Sequence, residues 1–427
     1  MDLKVSGRVG GNVVIPVSKS QAHRYLICSA LADRKTDVVC PVLNDDIERT
    51  ADCLRALGAE IDYSDGVFHV SPVVEVRKKS ELDCGESGST LRFMLPVAAV
   101  LGSEPAFVGR GRLPQRPLSP LYEQMCQHGV SMTPQGTMPL LQNGTLSGGD
   151  YELAANVSSQ FISGLLMALP LAGSESTLRL TGKIESASYI GMTLKALECF
   201  GVTPSYKDNT YHISPIPGFR YISPGKVIVE GDWSSAAFWV VAGTAGKEEI
   251  VLKGLNNTDS PQGDRAVVSI LKSMGARIDI THGDVHAMPS ELRGCEIDCA
   301  DVPDLVPVLT VAASAANGKT VFHNISRLRA KESDRVESVC AMLAAFGVRT
   351  EATENDLTVY GSEVLPQKGS VDDTVAVDSY NDHRIAMAGA IMSVVSGIPA
   401  IIRDAGCVAK SYPGFFDDFR LLGGLAE

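Results

Sequence analysis

The sequence lacks the cysteine patterns that mark disulfide-rich or redox-active proteins. Its ten cysteines are scattered over 427 residues and include no Cys-x-x-Cys pair, whereas small secreted domains are dense in closely spaced cysteines. The chain also does not start with basic residues followed by an apolar stretch, which a secretory signal would need. We therefore expect reduced thiols and a cytoplasmic location.

Long apolar runs and nucleotide-binding motifs are missing as well. One uncharged and largely apolar stretch, residues 385–402, has 18 residues, and it is interrupted by small or helix-breaking residues: Gly389, Ser393, Ser396, Gly397 and Pro399. This pattern predicts a buried helix, a turn and a strand, not a membrane span. We therefore expect no membrane partner. Neither Gly-x-Gly-x-x-Gly nor Gly-x-x-x-x-Gly-Lys-Ser/Thr occurs, so we also expect no nucleotide cofactor.

An excess of positive charge is absent too. The chain has 38 lysines and arginines against 50 aspartates and glutamates, a net charge of -12, which disfavours nucleic acid as a partner. His282 and His286 lie four residues apart without a nearby third ligand, so no metal site is expected. A hydrophobic fraction of 44% is typical of globular proteins, and the length predicts two or three domains.

What the sequence does contain is a long internal repeat. Six amphipathic segments each end at a glycine, and successive glycines lie 71 to 76 residues apart: Gly58, Gly129, Gly201, Gly275, Gly347 and Gly423. Each segment fits a helix with a left-handed C-terminal cap, followed in the first five cases by a strand. A shared period of this length indicates repeated structural units.

A second series of landmarks keeps the same period. Short strand-like stretches, the first being VVIPV, precede polar corners that open apolar helices at Ser18, Ser87, Ser158, Ser234, Asp304 and Asp382. We predict an α+β architecture of six βαβαββ repeat units, arranged as two three-unit domains with helix N-termini facing an interdomain cleft. The expected domains are residues 15–228 and 229–427, with residues 1–14 joining the second and hinges near 13–18 and 226–232.

The helix starts carry groups suited to anions. A helix N-terminus offers unpaired N–H groups and partial positive charge, and several of these corners add hydroxyls or cations, as in SKSQAHR, ESGSTLR, NVSSQF and YNDHR. Further cations lie in the loops GRGRLPQRP, SRLRAKESDR and CVAKSYP. In SRLRAKESDR, a helix would place Lys331 and Arg335 on one face, beside Glu332. We therefore expect a ligand, or a ligand pair, with several phosphates and carboxylates.

Together these motifs resemble one family, the 5-enolpyruvylshikimate-3-phosphate synthases of the shikimate pathway. Besides the motifs above, RLPQRP, SASYIG, EGDWSSA, DVPDL and RAKESDR occur in the family's order, so the resemblance covers nearly the whole chain. It implies a two-domain transferase of aromatic amino acid biosynthesis that needs no cofactor. We expect a monomer that closes around shikimate 3-phosphate and phosphoenolpyruvate, with neither nucleic acid nor membrane as a partner.

The resemblance also implies the site residues. Shikimate 3-phosphate contacts fall on Lys19, Ser20, Arg24, Ser158, Ser159, Gln160, Ser186, Tyr189, Asp304, Arg327 and Lys331. Phosphoenolpyruvate contacts fall on Lys19, Gly88, Arg116, Gln160, Arg335, Arg384 and Lys410. The implied reaction needs one base and one acid. Asp304 is the candidate base for the substrate hydroxyl, and Glu332 with Lys19 is the candidate pair for protonating carbon.

The chain departs from the family pattern at four positions. Val17 and Arg327 replace a common glycine and asparagine, while Glu86 and Phe93 replace an asparagine and a proline often seen near the phosphoenolpyruvate site. Three other readings stay open. They are the related transferase acting on UDP-N-acetylglucosamine, whose reactive loop cysteine is missing from GRGRLPQRP; an RNA 3'-phosphate cyclase, disfavoured by the acidic charge; and an anion-binding repeat protein without activity.

Overall fold

The structure is a computed structural model that describes residues 1–216, 218, 220–256, 258–361 and 374–427. It divides into two compact halves. The N-terminal half is Val17–Val229, and the C-terminal half combines Met1–Pro16 with Glu230–Glu427. Each half has its own hydrophobic core.

The described part of the chain contains twelve α-helices, which we number along the sequence. They are α1 Lys19–Ala30, α2 Asp45–Leu57, α3 Gly88–Val100, α4 Leu121–Gln127, α5 Ser159–Ala168, α6 Ala187–Cys199, α7 Trp233–Ala245, α8 Val267–Ser273, α9 Val306–Ala315, α10 Arg335–Ala345, α11 His383–Ser396 and α12 Phe415–Leu421.

The strands in the described residues are numbered in the same way. They are β1 Leu3–Ser6, β2 Gly11–Val14, β3 Thr36–Val39, β4 Glu60–Ser64, β5 Val67–Ser71, β6 Glu81–Asp83, β7 Ala106–Val108, β8 Val130–Met132, β9 Leu140–Gly144, β10 Asp150–Ala154, β11 Ser176–Thr181, β12 Ser205–Lys207, β13 Thr210–Ile213, β14 Lys226–Ile228, β15 Ile250–Lys253, β16 Arg277–Thr281, β17 Asp284–Met288, β18 Glu296–Asp298, β19 Gly318–His323, β20 Thr350–Ala352, β21 Asp356–Gly361, β22 Val375–Asp378, β23 Ala400–Arg403 and β24 Leu425–Ala426.

These strands form six four-stranded sheets in the described part of the chain, all with one pattern. Each begins with a parallel pair and continues with two antiparallel neighbours; the orders are β14-β3-β5-β4, β6-β7-β9-β8, β10-β11-β13-β12, β2-β15-β17-β16, β18-β19-β21-β20 and β22-β23-β1-β24. The predicted βαβαββ repeat is thereby confirmed. All six landmark glycines have a positive φ, between 76° and 116°, as a left-handed cap requires.

Two strands pair outside the repeat unit whose helix they precede. Strand β2 lies in residues 1–14, which were expected to join the second domain, and it pairs with β15 of the fourth repeat unit, for example Val13 opposite Leu252. Strand β14 precedes the fourth helix start and instead completes the first sheet, with Val227 opposite Val38. Expecting each helix to follow a strand of its own sheet was therefore wrong at these two repeat units. Strands of three or four residues carry too little local pattern to reveal a distant partner.

The sixth repeat unit also differs from the prediction. A strand was expected after only the first five landmark glycines, but β24 follows Gly423 and pairs with β1, which in turn pairs with β23. The closing hairpin of this unit is thus assembled from two distant segments. The uncharged run 385–402 folds as predicted into the buried helix α11, a turn and β23. None of the helices in the described ranges is long and apolar enough to cross a membrane.

Candidate active site

In the N-terminal half, the start of α1 carries Lys19 beside a carboxylate. Ser18 is the N-cap residue of α1, and the Lys19 ammonium donates a hydrogen bond of 2.8 Å to Asp46 in the first turn of α2. Both side chains are about 85% buried, with 15% and 14% exposed. Charge-assisted hydrogen bonds are stronger than neutral ones, so Asp46 fixes the direction of the ammonium.

Arg24, in the next turn of α1, is a buried cation surrounded by neutral oxygens. Its Nε donates to Thr193 Oγ1 at 2.7 Å, one terminal nitrogen donates to the Ser20 carbonyl at 2.6 Å, and the other donates to Ser163 Oγ and the Tyr189 carbonyl. Burial lowers the pKa of Arg24 to about 10. Among the described residues, no carboxylate forms an ion pair with it.

Helices α3 and α5 hold one another through Gln160. The Gln160 side-chain oxygen accepts a 2.6 Å hydrogen bond from Arg92, and its amide nitrogen donates to Ser89 Oγ at 2.8 Å. Ser158 caps α5 by accepting from the Gln160 backbone N–H. Because both ends of the amide are held, the first turn of α5 is fixed against that of α3.

The start of α3 lies under the Arg116 guanidinium. A Cβ placed on Gly88 would be only 2.5 Å from a terminal nitrogen of Arg116, so only glycine allows this approach. Arg116 follows the short 3-10 turn Leu113–Gln115, while Arg110 in the same loop is exposed and binds Asp83. The loop therefore directs one of its arginines to the helix start and another to the surface.

Other predicted residues of this half lie at the starts of α5 and α6. Ser159 is buried at the first position of α5. Ser186 is buried in a left-handed conformation immediately before α6, and Tyr189 lies in the first turn of that helix. The predicted residues of the N-terminal half therefore cluster on the first turns of four helices and one loop.

In the C-terminal half, the carboxylate of Asp304 is surrounded by three cations. It accepts hydrogen bonds from Arg335 at 2.7 Å and Arg384 at 3.3 Å, and it lies 3.5 Å from the Lys331 ammonium. Arg384 also donates to the Asp304 carbonyl. The carboxylate therefore lies among three cationic side chains of the kind that bind oxyanions.

Arg335 is the most buried of these cations, with 1% of its side chain exposed. Besides Asp304, it binds Glu332 at 2.6 Å and Asp382 at 2.8 Å. Burial alone would lower the pKa of Arg335, but these three carboxylates outweigh burial and raise it well above its ordinary value. Burial lowers the pKa of Lys331, with Asp304 and Glu332 opposing the shift.

The helical arrangement expected for SRLRAKESDR is wrong. Lys331 follows a 3-10 turn, Ser326–Ala330, whereas α10 begins only at Arg335 with Asp334 as its cap. The two cations are therefore not neighbours on one helix face, and they meet through Asp304 instead.

Two further predicted residues have other partners. Arg327 donates to the Ala300 carbonyl, and Lys410 donates to the Asn381 carbonyl beside the start of α11. Lys410 thus lies at the same helix start as Arg384, whereas Arg327 binds near the end of β18. Within the described ranges, no group of three or more potential ligands could hold a metal ion.

Several residues that build this arrangement were not in the predicted set: Asp46, Arg92, Ser163, Thr193 and Asp382. Asp46 in the first turn of α2 and Asp382 at the cap of α11 look like ordinary helix-start residues in the sequence, which does not reveal their ion pairs with buried cations. Thr193 and Ser163 lie inside apolar helices and give no signal in a single sequence. For Arg92, the arginine in the ESGSTLR corner was the signal.

Comparison with known proteins identifies the family. The model of the EPSP synthase (3-phosphoshikimate 1-carboxyvinyltransferase) family matches residues 3–419. The 3-phosphoshikimate 1-carboxyvinyltransferase of Clostridium kluyveri is 41% identical over 419 residues, covering 98% of this chain and 96% of that protein. The corresponding protein of Clostridium botulinum strain Eklund 17B is 39% identical, with the same coverage.

Solved structures show the same fold. An EPSP synthase from Acinetobacter baumannii has a TM-score of 0.80 at 24% identity and covers 100% of this chain and 99% of its own. The enolpyruvyl transferase NikO from Streptomyces tendae has a TM-score of 0.77 at 17% identity, with coverages of 100% and 98%. Since the family match spans nearly the whole chain, this protein belongs to the EPSP synthase family.

Proposed function

We propose that this protein transfers the enolpyruvyl group of phosphoenolpyruvate to the 5-hydroxyl of shikimate 3-phosphate and releases phosphate, a step of the shikimate pathway. The observation that carries the proposal is the group around Asp304. A carboxylate lies there among Arg335, Arg384 and Lys331. The reaction needs such a combination, because a base must act beside groups that bind oxyanions.

We propose that residues of both halves bind the two substrates. For shikimate 3-phosphate, support comes from the buried Arg24, whose hydrogen-bond partners among the described residues are all neutral oxygens. For phosphoenolpyruvate, it comes from Arg116 above the start of α3 and from Arg384 and Lys410 at the start of α11. Cations beside helix N-termini suit phosphate and carboxylate groups.

The chemistry follows from the residue types. Asp304 accepts the proton of the 5-hydroxyl while the hydroxyl oxygen forms a bond to the central carbon of phosphoenolpyruvate. Glu332 with Lys19 supplies a proton to the methylene carbon. In the resulting tetrahedral intermediate, the new methyl group returns a proton to the Glu332–Lys19 pair as the C–O bond to phosphate breaks. The cations stabilise the charge on the departing phosphate.

We further propose that the protein acts as a cytoplasmic monomer without a metal or other cofactor. Its ten cysteines support a reducing compartment, because all are free thiols. A net charge of -12 argues against nucleic acid as a partner. Sedimentation that gave a dimer mass at micromolar concentration would contradict the monomer.

The direct test is phosphate release from purified protein. We expect release only when shikimate 3-phosphate and phosphoenolpyruvate are both present, and none when UDP-N-acetylglucosamine replaces shikimate 3-phosphate. Mass spectrometry should detect the enolpyruvyl ether product. Release with the sugar nucleotide, or none with either acceptor, would overturn the proposal.

The site residues are tested with lysine variants. Lys19→Met and Lys410→Met should each lower kcat/KM by about 10²-fold or more, because a charge that meets the substrate or the departing phosphate is lost. The control is Lys195→Met, which removes an exposed lysine paired with Glu198 in α6. Equal activity in all three variants would contradict the proposed roles.

A further inference from the structure

Two buried hydroxyls that no substrate role explains contact the guanidinium group of Arg24. Thr193 in α6 and Ser163 in α5 are both fully buried. Thr193 Oγ1 lies 2.7 Å from Arg24 Nε, 2.7 Å from Ser163 Oγ and 3.1 Å from the Tyr189 carbonyl. Ser163 Oγ lies 3.3 Å from the far terminal nitrogen of Arg24.

The donors and acceptors determine the direction of these bonds. A guanidinium group only donates, and a hydroxyl has one hydrogen and two lone pairs. Thr193 must therefore accept from Arg24, and its own hydrogen points to Ser163 or to the Tyr189 carbonyl. Nε links the aliphatic part of the arginine side chain to the guanidinium carbon, whereas the other two nitrogens are terminal. The hydrogen bond from Nε to Thr193 therefore sets the plane of the guanidinium group.

The neutrality of these partners matters as much as their position. Buried arginines are normally paired with carboxylates, and Arg335 in the C-terminal half is paired with three. Arg24 instead has hydroxyls and carbonyls, and its guanidinium lies 5.0 Å from the centre of the Phe93 ring. Its positive charge is therefore not cancelled within the described residues and remains available to an anionic ligand.

We propose that Thr193 and Ser163 are positioning residues that orient Arg24 without neutralising it, and so select an acceptor substrate with an anionic group at this point. The inference rests on the proposed function, in which Arg24 binds shikimate 3-phosphate. It predicts that the two hydroxyls affect binding of that substrate and leave phosphoenolpyruvate binding and the chemical step largely unchanged.

Thr193→Val tests this, because it removes the hydroxyl and keeps the shape of the side chain. We expect KM for shikimate 3-phosphate to rise about 10- to 100-fold, as expected for losing a hydrogen bond to a charged group. KM for phosphoenolpyruvate and kcat should stay within about threefold of wild type. Thr193→Ser keeps the hydroxyl and should restore KM to within about threefold.

A matched control separates positioning from packing. Thr244 is fully buried in α7 of the other half, and its hydroxyl donates to the Val240 carbonyl of the same helix. Thr244→Val should lower the unfolding midpoint much as Thr193→Val does, without changing either KM. If Thr193→Val does not fold, Ser163→Ala provides the same measurement at the other hydroxyl.

The outcomes distinguish the two proposals. A wild-type protein that releases no phosphate from the two substrates refutes the proposed function. An active wild type refutes only the inference if Thr193→Val keeps the wild-type KM for shikimate 3-phosphate, if both KM values rise together, or if Thr193→Ser fails to restore binding.

Discussion

The buried pair of Arg335 and Asp382 gives the sharpest prediction for stability. Their side chains are 1% and 0% exposed, and Arg335 Nε lies 2.8 Å from Asp382 Oδ2. Asp382→Asn removes the negative charge but keeps the size of the side chain. It also keeps the helix cap, in which Asp382 accepts from the Arg384 backbone N–H, because asparagine is an equally good N-cap.

The size of the loss in unfolding free energy depends on the ion pairs that Arg335 keeps in the variant. Breaking a buried ion pair by removing one partner costs about 3–5 kcal/mol. Arg335 would still bind Glu332 and Asp304, whose side chains are 21% and 17% exposed. We therefore expect a loss near the lower end, about 3 kcal/mol in the free energy of unfolding.

Denaturant unfolding followed by tryptophan fluorescence is the appropriate assay. The chain has two tryptophans, Trp233 and Trp239, and both lie in the core of the C-terminal half. The signal therefore reports the half that contains the substitution. A shift of the midpoint at constant slope gives the change in unfolding free energy.

The matched control is Asp334→Asn. Asp334 caps α10 and pairs with Arg329 at 3.3 Å, but 25% and 33% of these side chains are exposed. A pair this exposed is worth less than about 1 kcal/mol. Equal losses for Asp334→Asn and Asp382→Asn would refute the reasoning, since burial would then not decide the cost.

Two further predictions concern single carboxylates. Asp46→Asn should lower kcat at least about tenfold without raising either KM, because Lys19 loses its orientation while the local charge becomes more positive; Asp45→Asn, an exposed neighbour in the same helix turn, should have little effect. Burial, helped by Asp304, raises the pKa of Asp264 to about 7. Since an unfolded aspartate titrates near 4, Asp264 reduces folded-state stability as the pH rises from about 4 to about 7. Asp264→Asn should therefore be more stable than wild type at pH 8, by a margin that shrinks towards pH 5 in fluorescence-monitored unfolding.

Each of these predictions can fail clearly. Matching kcat values for Asp46→Asn and Asp45→Asn would mean that Lys19 needs no carboxylate partner. A stability difference between wild type and Asp264→Asn that does not vary with pH would mean that Asp264 does not titrate differently in the folded and unfolded chain.

Much of the fold could be predicted because its landmarks are local. A left-handed glycine and a capped helix start each leave a signal within a few residues, and both recurred with one period. The sequence indicated that residues 1–14 join the second domain, but the partner strands of β2 and β14 could not be predicted, because pairing between distant short strands depends on tertiary structure. The same limit applied to SRLRAKESDR, where the contacts with Asp304 replaced the expected helix.

For the site, the sequence indicated the charged residues but not the residues that hold them in place. Charged residues at helix starts stand out in the sequence, and the family resemblance supplied their expected roles, which stay predictions. Residues that act by holding a cation gave no such signal. Thr193 looks like any small residue inside a helix, and only its bond to Arg24 distinguishes it.

Strand pairing between distant segments has a consequence for folding during synthesis. The N-terminal half can complete its three sheets once residue 228 has left the ribosome. Strands β1 and β2 are made first, but β2 cannot pair until residues 250–253 are made, and β1 cannot pair with β23 until residues 400–403 are made. Unpaired strand edges invite wrong partners, so the nascent chain carries two of them through most of its translation. Shielding of residues 1–14 during synthesis would then govern the yield of native protein.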